Sequence, residues 1–204
     1  MSEARVAIVV LAAGASRRLG RPKQLLDLDG EPLIRHTVRN ALAAETGNVL
    51  VVLGNEAERI SSEIALLGPE IVVNPDFAIG QSSSMTAGIR ALSPDIDAAI
   101  LMLGDQPTVP PELIVALIDR FRATGAAIVQ PHYNDGKPGN PVLISRALFP
   151  ELLAVTGDIG AREVVRAHRA EVERIDVDLP HPLDVDSDED YQRLRDAWGM
   201  RHCG

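Results

Sequence analysis

The chain is poor in cysteine, aromatic residues and positive charge, and each shortage removes a class of function. Cys203 is the only cysteine in 204 residues, so neither an internal disulfide nor a Cys-rich zinc site can form. One Trp, two Tyr and three Phe are too few for a base-stacking platform. Twenty Lys and Arg stand against 29 Asp and Glu, a net charge of −9, which repels polyanions at long range and disfavours nucleic acid as a partner. The five histidines, His36, His132, His168, His181 and His202, show no close ligand spacing, which argues against a transition-metal site. No apolar run reaches the ~18 residues of a membrane helix. The opening MSEARVAIVVLAAG lacks the basic start and long apolar stretch of a signal peptide. A cytoplasmic, reducing location without a membrane partner is the expectation.

What remains is a composition suited to a folded core: 46% hydrophobic, 24% charged, mean hydropathy +0.04. The length fits one domain, assigned to residues 1–198, with 199–204 expected as a disordered C-terminal tail. Val6–Leu11 is apolar throughout and rich in β-branched residues, as in a central parallel strand covered on both faces. Further strands are expected at Asn48–Leu53, Ile71–Val73, Ala98–Leu103, Ala126–Gln130, Val142–Ile144 and Val172–Val177. Between them lie helical patterns from Pro32, over Glu56–Leu67, over Met85–Leu92 behind the N-cap hydroxyls of Ser82, Ser83 and Ser84, and from Pro110–Pro111 to about Ala123. Ala147–Val155, Ala161–His168 and a segment after Ser187, with Asp190 at its capping-box position, complete the set. Strands alternating with helices through short loops imply an α/β fold with a doubly wound, mostly parallel sheet, whose ligand crevice lies beyond the carboxyl ends of the strands.

Two of those strand ends carry unusual chemistry. After the first strand, Gly14 and Gly20 frame a loop in which Arg17, Arg18, Arg21 and Lys23 fall within seven positions. Small residues allow close backbone approach, and the cations supply charge-assisted hydrogen bonds, so a polyphosphate ligand fits; a solvated basic turn is the plain alternative. Neither the Walker A spacing nor the dinucleotide fingerprint G-x-G-x-x-G is present. Asp105, in Gly104-Asp105-Gln106-Pro107, would face the same crevice and suits a magnesium ion that also binds phosphate oxygens. The acidic run Leu183–Asp190 begins like an EF-hand, but Glu189 and Arg195 stand where Gly and Glu are needed, which rules out that calcium loop. Helix-dipole preference accounts for Asp188, Glu189 and Asp190, and leaves Asp184 and Asp186 without such a reason.

The runs LAAGASRRLGRPKQLL, GQSSSMTAGI, LMLGDQP, GNPVLIS, GDIGAR and LDVDSDEDY together resemble the MobA-like NTP transferases, most closely the molybdenum cofactor cytidylyltransferase (MocA) branch, over nearly the whole chain. The resemblance implies a Rossmann-like three-layer α/β/α fold. It also implies CMP transfer from CTP to the terminal phosphate of molybdopterin (molybdenum) cofactor, with Mg2+ bound and pyrophosphate released. It places Leu11, Ala12, Ala13, Gly14, Gly80 and Ser84 at the nucleotide, Arg18 and Lys23 on its triphosphate, and Asp105 and Asp186 on the metal. Asp184 stays open as the alternative to Asp186, because Ser187-Asp188 stands where relatives carry Thr-Pro. Arg18, Lys23 and Asp105 are the implied catalytic set. Gln106, Asn140 and Arg162 are assigned to the acceptor, and a molybdoenzyme is the implied recipient of the product. Another phosphorylated acceptor such as a sugar phosphate, or a carrier that hands on the cofactor, are the competing expectations.

Overall fold

The computed structural model describes residues 3–202. Its main sheet has seven strands: β1 (Val6–Leu11), β4 (Val49–Leu53), β5 (Glu70–Val73), β6 (Ala98–Leu103), β7 (Ile128–His132), β8 (Val142–Ser145) and β9 (Val172–Asp176). The order is β5-β4-β1-β6-β8-β7-β9, parallel except that β8 runs antiparallel between β6 and β7. A small separate hairpin joins β2 (Asp27–Leu28) to β3 (Glu31–Pro32). The sequence reading did not anticipate it, because two residues per strand are too few to show an alternation.

Helices cover both faces, and the side chains explain the division. Against one face pack Ile34, Val38 and Ala41 of α1 (Leu33–Ala43), Ile60 and Ile64 of α2 (Ala57–Ile64), and Leu113, Ile114 and Leu117 of α4 (Pro111–Thr124). Against the other pack Met85 and Ile89 of α3 (Gln81–Ala91), Phe149 and Leu152 of α5 (Phe149–Ala154), and Val164 of α6 (Arg162–Ala167). Residues 6–10 of β1 are buried, as their unbroken apolar run requires. The α/β class and three-layer arrangement therefore stand as expected. Among the described residues, no helix is long and apolar enough to cross a membrane.

Register positions the site. Leu11, at the end of β1, pairs with Val52 of β4 and Leu103 of β6, so three strands end together. The chain leaves β1 toward β4 and later returns to its other side at β6, which makes this the topological switch point where a crevice opens. A third cluster, Leu19, Leu26, Leu28, Leu33, Val185 and Leu194, folds α7 (Asp188–His202) back onto the segment after β1. That packing brings the acidic run near residue 185 to the basic loop near residue 18.

Several boundaries move by a residue or two, as at the strand expected over Ala126–Gln130 and found at Ile128–His132, and two shifts are larger. The third helix starts at Gln81 and not at Met85, with Ser82, Ser83 and Ser84 inside its first turn. Its N-terminal N–H groups are met from a distant loop: Gln81 N donates to Asp158 Oδ1 (3.1 Å) and Ser82 N to Gly157 O (3.1 Å), so no serine cap is needed. The last helix continues through residues 199–202, assigned above to the tail; the edge-on contact of Trp198 with His36 (centroids 4.7 Å apart) anchors it just before that point. Cys203 and Gly204 lie outside the described residues.

Candidate active site

The loop after β1 has its carbonyls turned into the protein. Leu11 O accepts from Gly104 N (2.9 Å), Ala13 O from Asn55 N (3.3 Å), and Ala12 O and Gly14 O both from the Gln24 side-chain amide (2.8 and 3.2 Å). Ser16, at φ 49°, turns the chain, and its hydroxyl accepts from Lys23 N (3.1 Å), which fixes the base of the lysine. Close packing dictates the glycines at the neighbouring strand ends. A Cβ on Gly104 would lie 2.7 Å from the Ala12 Cβ, and one on Gly54 would lie 2.9 Å from that of Ala13.

At the mouth of this loop Lys23 Nζ lies 2.6 Å from Asp105 Oδ2 and 3.2 Å from Asp186 Oδ1. Burial alone would lower the Lys23 pKa, but the charges and hydrogen bonds of Asp105 and Asp186 outweigh it and the net shift is upward. The ammonium is thus fully charged at neutral pH. Arg18 Nη2 holds the other Asp186 oxygen at 2.7 Å, while Val185 N donates to Asp105 Oδ2 (3.3 Å). Asp184 is half-turned into the same space. Its pKa is raised, first by burial and next by the Asp105 charge, against the opposing hydrogen bond from Gln106 Nε2 (2.7 Å).

The donor set fits a hard divalent cation. Two carboxylates already share one cation, Lys23, and the remaining positions of a magnesium-like shell would come from phosphate oxygens and water. Among the described residues no group of three or more His, Cys, Asp or Glu is arranged to hold a metal ion by itself. Asp105 and Asp186 would hold the ion, with Asp184 beside them.

These groups open onto a cleft of about 550 Å³. Leu11, Ala12, Ala13, Gly14, Lys23, Gly80, Ser84, Asp105, Asp186 and Arg162 all line it. Arg18 does not; its side chain is 75% exposed and engaged with Asp186, while the neighbouring Arg17 faces the cleft. Gly80, at φ 138° and ψ 176°, occupies a conformation reserved for glycine, and a Cβ there would meet Gly157 O at 2.6 Å. The Ser84 hydroxyl is buried and accepts from Asn74 Nδ2 (3.1 Å), which ties the start of α3 to the end of β5. Gln106 and Asn140 line a second cleft of about 530 Å³. It adjoins the first through Leu11, Gln81, Leu103, Arg162 and Asp184. Sequence reasoning missed Gln24, although it directly follows Lys23 in the basic loop. It held Gln81 within the nucleotide segment Gly80–Ser84 and Asp158 within the acceptor segment Gly157–Arg162, but not their contact, which joins Asp158 to the N-terminus of a helix 77 residues earlier.

Residues 8–172 match the MobA-like NTP transferase domain. Nicotine blue oxidoreductase of Paenarthrobacter nicotinovorans is 33% identical over 195 residues, 91% of this chain and 94% of the relative. The crystal structure of Rv0371c from Mycobacterium tuberculosis H37Rv superposes with a TM-score of 0.86 at 35% identity, covering 96% of this chain and 100% of that one. A second Rv0371c structure, a complex with manganese, gives a TM-score of 0.82 at 33% identity over 96% of this chain and 100% of the other. Enzymes of this kind use divalent metal ions, in keeping with the paired carboxylates. By the extent of the domain match and of these relatives, the chain belongs to the MobA-like NTP transferase family and is a nucleotidyltransferase.

Proposed function

We propose that the protein transfers CMP from CTP to the terminal phosphate of molybdopterin cofactor, with magnesium as its divalent ion. The observation that carries the reading is the meeting of Lys23 with Asp105 and Asp186 at the mouth of the Ala12–Gly14 loop. An oxygen of the acceptor phosphate forms a bond to the α-phosphorus, and the bond from that phosphorus to the β-phosphate oxygen breaks, with pyrophosphate leaving as an anion. The acceptor phosphate is already ionised at neutral pH, so no protein general base is required. Such a transfer depends on positioning and charge neutralisation. Lys23 neutralises the departing pyrophosphate within the cleft, Arg18 adds positive charge from outside its lining, beside Asp186, and the inward-turned carbonyls of residues 11–14 keep their negative ends away from the phosphates. Magnesium, held by Asp105 and Asp186, supplies positive charge at the α-phosphate when bound. Arg162, shared by both clefts, meets the incoming acceptor.

The choice of CTP rests on the resemblance to the cytidylyltransferase branch, which links an Ala-Ala pair such as Ala12-Ala13 with CTP and Ala-Gly with GTP. Both residues line the cleft, and a glycine at position 13 would leave more room there for a larger base. Ala13→Gly is expected to shift the GTP-to-CTP ratio of kcat/KM toward GTP by about tenfold, roughly the discrimination of one methyl group; an unchanged ratio removes the assignment of the base to this loop. The direct test is pyrophosphate release by the purified protein with magnesium, each NTP in turn, and molybdopterin cofactor or sugar 1-phosphates as acceptor. Release with CTP and the cofactor alone supports the proposal. Release with sugar 1-phosphates assigns the other acceptor class, and stoichiometric cofactor retention without release makes the protein a carrier. The relative named an oxidoreductase favours redox turnover on the same scaffold as a second reading; consumption of a reductant without pyrophosphate release would support it.

A further inference from the structure

The second cleft has a cationic wall that no side chain among the described residues pairs with. Arg162, Arg166 and Arg169 are spaced four and three residues apart, along α6 and the turn after it, and all three line the cleft. Each is exposed, and among the described residues none forms an ion pair or a hydrogen bond. Of the carboxylates nearby, Glu151 and Glu171 are engaged with His168, Glu173 with Arg120 and Asp184 with Gln106, while Glu163, exposed on α6, forms an ion pair with none of the three arginines. On a chain of net charge −9, three unpaired guanidiniums in eight residues form a strong local reversal of sign.

The floor of the same cleft supplies an independent observation. Gln106 is 2% exposed and its Nε2 is committed to Asp184, yet its Oε1 has no hydrogen-bond partner. The buried Nδ1 of His132, also in this cleft, has none either. Buried polar atoms without partners are rare in native proteins and call for one, which a ligand in this cleft would supply. Leu101, Val142 and Val172 add apolar surface.

We infer that the acceptor is an elongated molecule with two separated anionic groups, which deepens the reading of the protein as a nucleotidyltransferase and rests on it for the identity of the attacking group. The attacking phosphate sits at Arg162, at the junction of the clefts. The second anion lies beneath Arg166 and Arg169, roughly 10 Å along the wall at 1.5 Å per residue. Between them an N–H or O–H donor of the ligand meets Gln106 Oε1.

Equilibrium binding of glucose 1-phosphate and glucose 1,6-bisphosphate tests this, with the nucleotide cleft filled by a non-hydrolysable CTP analogue and magnesium. The wild type is expected to bind the bisphosphate about tenfold or more tightly than the monophosphate, as a further charge-assisted contact implies. The double variant Arg166→Ala/Arg169→Ala is expected to lose that preference, with its melting temperature reporting that the fold is intact. Equal binding of the two probes by the wild type, or a preference retained by the double variant, overturns the inference. A protein that prefers the bisphosphate but transfers no CMP to molybdopterin cofactor leaves the inference standing and removes the functional reading. Transfer with an unchanged cofactor KM in the double variant does the reverse.

Discussion

Lys23 illustrates how a single side chain sets the chemistry of this cleft. Its ammonium is shared by two carboxylates, one of them only 7% exposed, so removing either partner leaves an uncompensated charge where a triphosphate has to bind. Lys23→Ala and Asp105→Ala are each expected to lower kcat/KM by about a hundredfold or more, equivalent to about 2.7 to 4 kcal/mol, the usual loss for a deleted electrostatic catalyst. Steady-state pyrophosphate release measures this, and wild-type turnover in either variant contradicts the assigned roles. Asp105→Asn, which keeps the side-chain shape, separates loss of charge from loss of packing. Gly80 acts by having no side chain. Its φ of 138° and the 2.6 Å approach that a Cβ would make to Gly157 O mean that Gly80→Ala strains the backbone and pushes residues 157–158 away from the N-terminus of α3. A cost of about 1–3 kcal/mol in stability is expected from the backbone alone, accompanied by weaker nucleotide binding, which urea unfolding and CTP titration would read together. Neither position needed the structure to attract notice, but only the structure shows that Gly80 serves a contact with residue 157.

At the scale of elements, legibility followed the range of the forces that define each boundary. β1 and β6 were readable to the residue because their burial on both faces is written as unbroken apolar runs. The last helix was readable at its start because Ser187 and Asp190 cap it locally: Asp190 N donates to Ser187 Oγ (3.1 Å), and Ser187 N donates to Asp190 Oδ2 (2.9 Å). The start of α3 was not, since its partners come from residues 157 and 158, and no window of sequence joins the two. His168 offers a similar tertiary link with a testable pH signature. Its Nε2 lies 2.9 Å from Glu151 of α5 and its Nδ1 lies 3.2 Å from Glu171, beyond α6. Hydrogen bonds first to Glu151 and then to Glu171 raise its pKa above the ordinary 6.5. A folded-state pKa above the unfolded one gives stability that is complete below the unfolded value and disappears as pH rises through the folded value. Raising the pH from about 6 to about 8, across the range in which imidazole titrates, is therefore expected to lower the melting temperature of the wild type more than that of His168→Gln. Parallel melting curves for the two proteins across this range would show that the link carries no stabilisation.

Taken whole, the molecule combines a negative overall charge with two clefts that meet at the carboxyl edge of the sheet, the first mixing cations with carboxylates and the second walled by arginines, and it has to admit a nucleoside triphosphate. The overall balance of −9 was plain from composition, and so was the basic loop, but the second cationic wall was not. Only Arg162 of its three arginines stood out, because Arg166 and Arg169 acquire meaning when β7, β8 and α6 enclose a common space. Which charge governs substrate capture is a matter of distance. Exposed charges farther from a ligand than about 10 Å are largely screened at ~0.1 M salt, whereas those touching it are felt at almost any ionic strength. Most carboxylates are spread over the surface; in the first cleft Arg17, Lys23 and Arg162 stand beside Asp105, Asp158, Asp184 and Asp186, whose charge a bound divalent ion would offset, and in the second Arg162, Arg166 and Arg169 border the binding space directly. Attraction should therefore dominate, and because most of these arginines are exposed, it should weaken with salt. At constant free magnesium, raising KCl from about 0.05 M to about 0.5 M is expected to increase the KM for both CTP and acceptor several-fold while kcat changes little, since the Debye length falls to a few ångströms over that range. A KM that falls with added salt would mean that repulsion from the whole negative surface, and not the local cationic walls, controls the approach of both substrates.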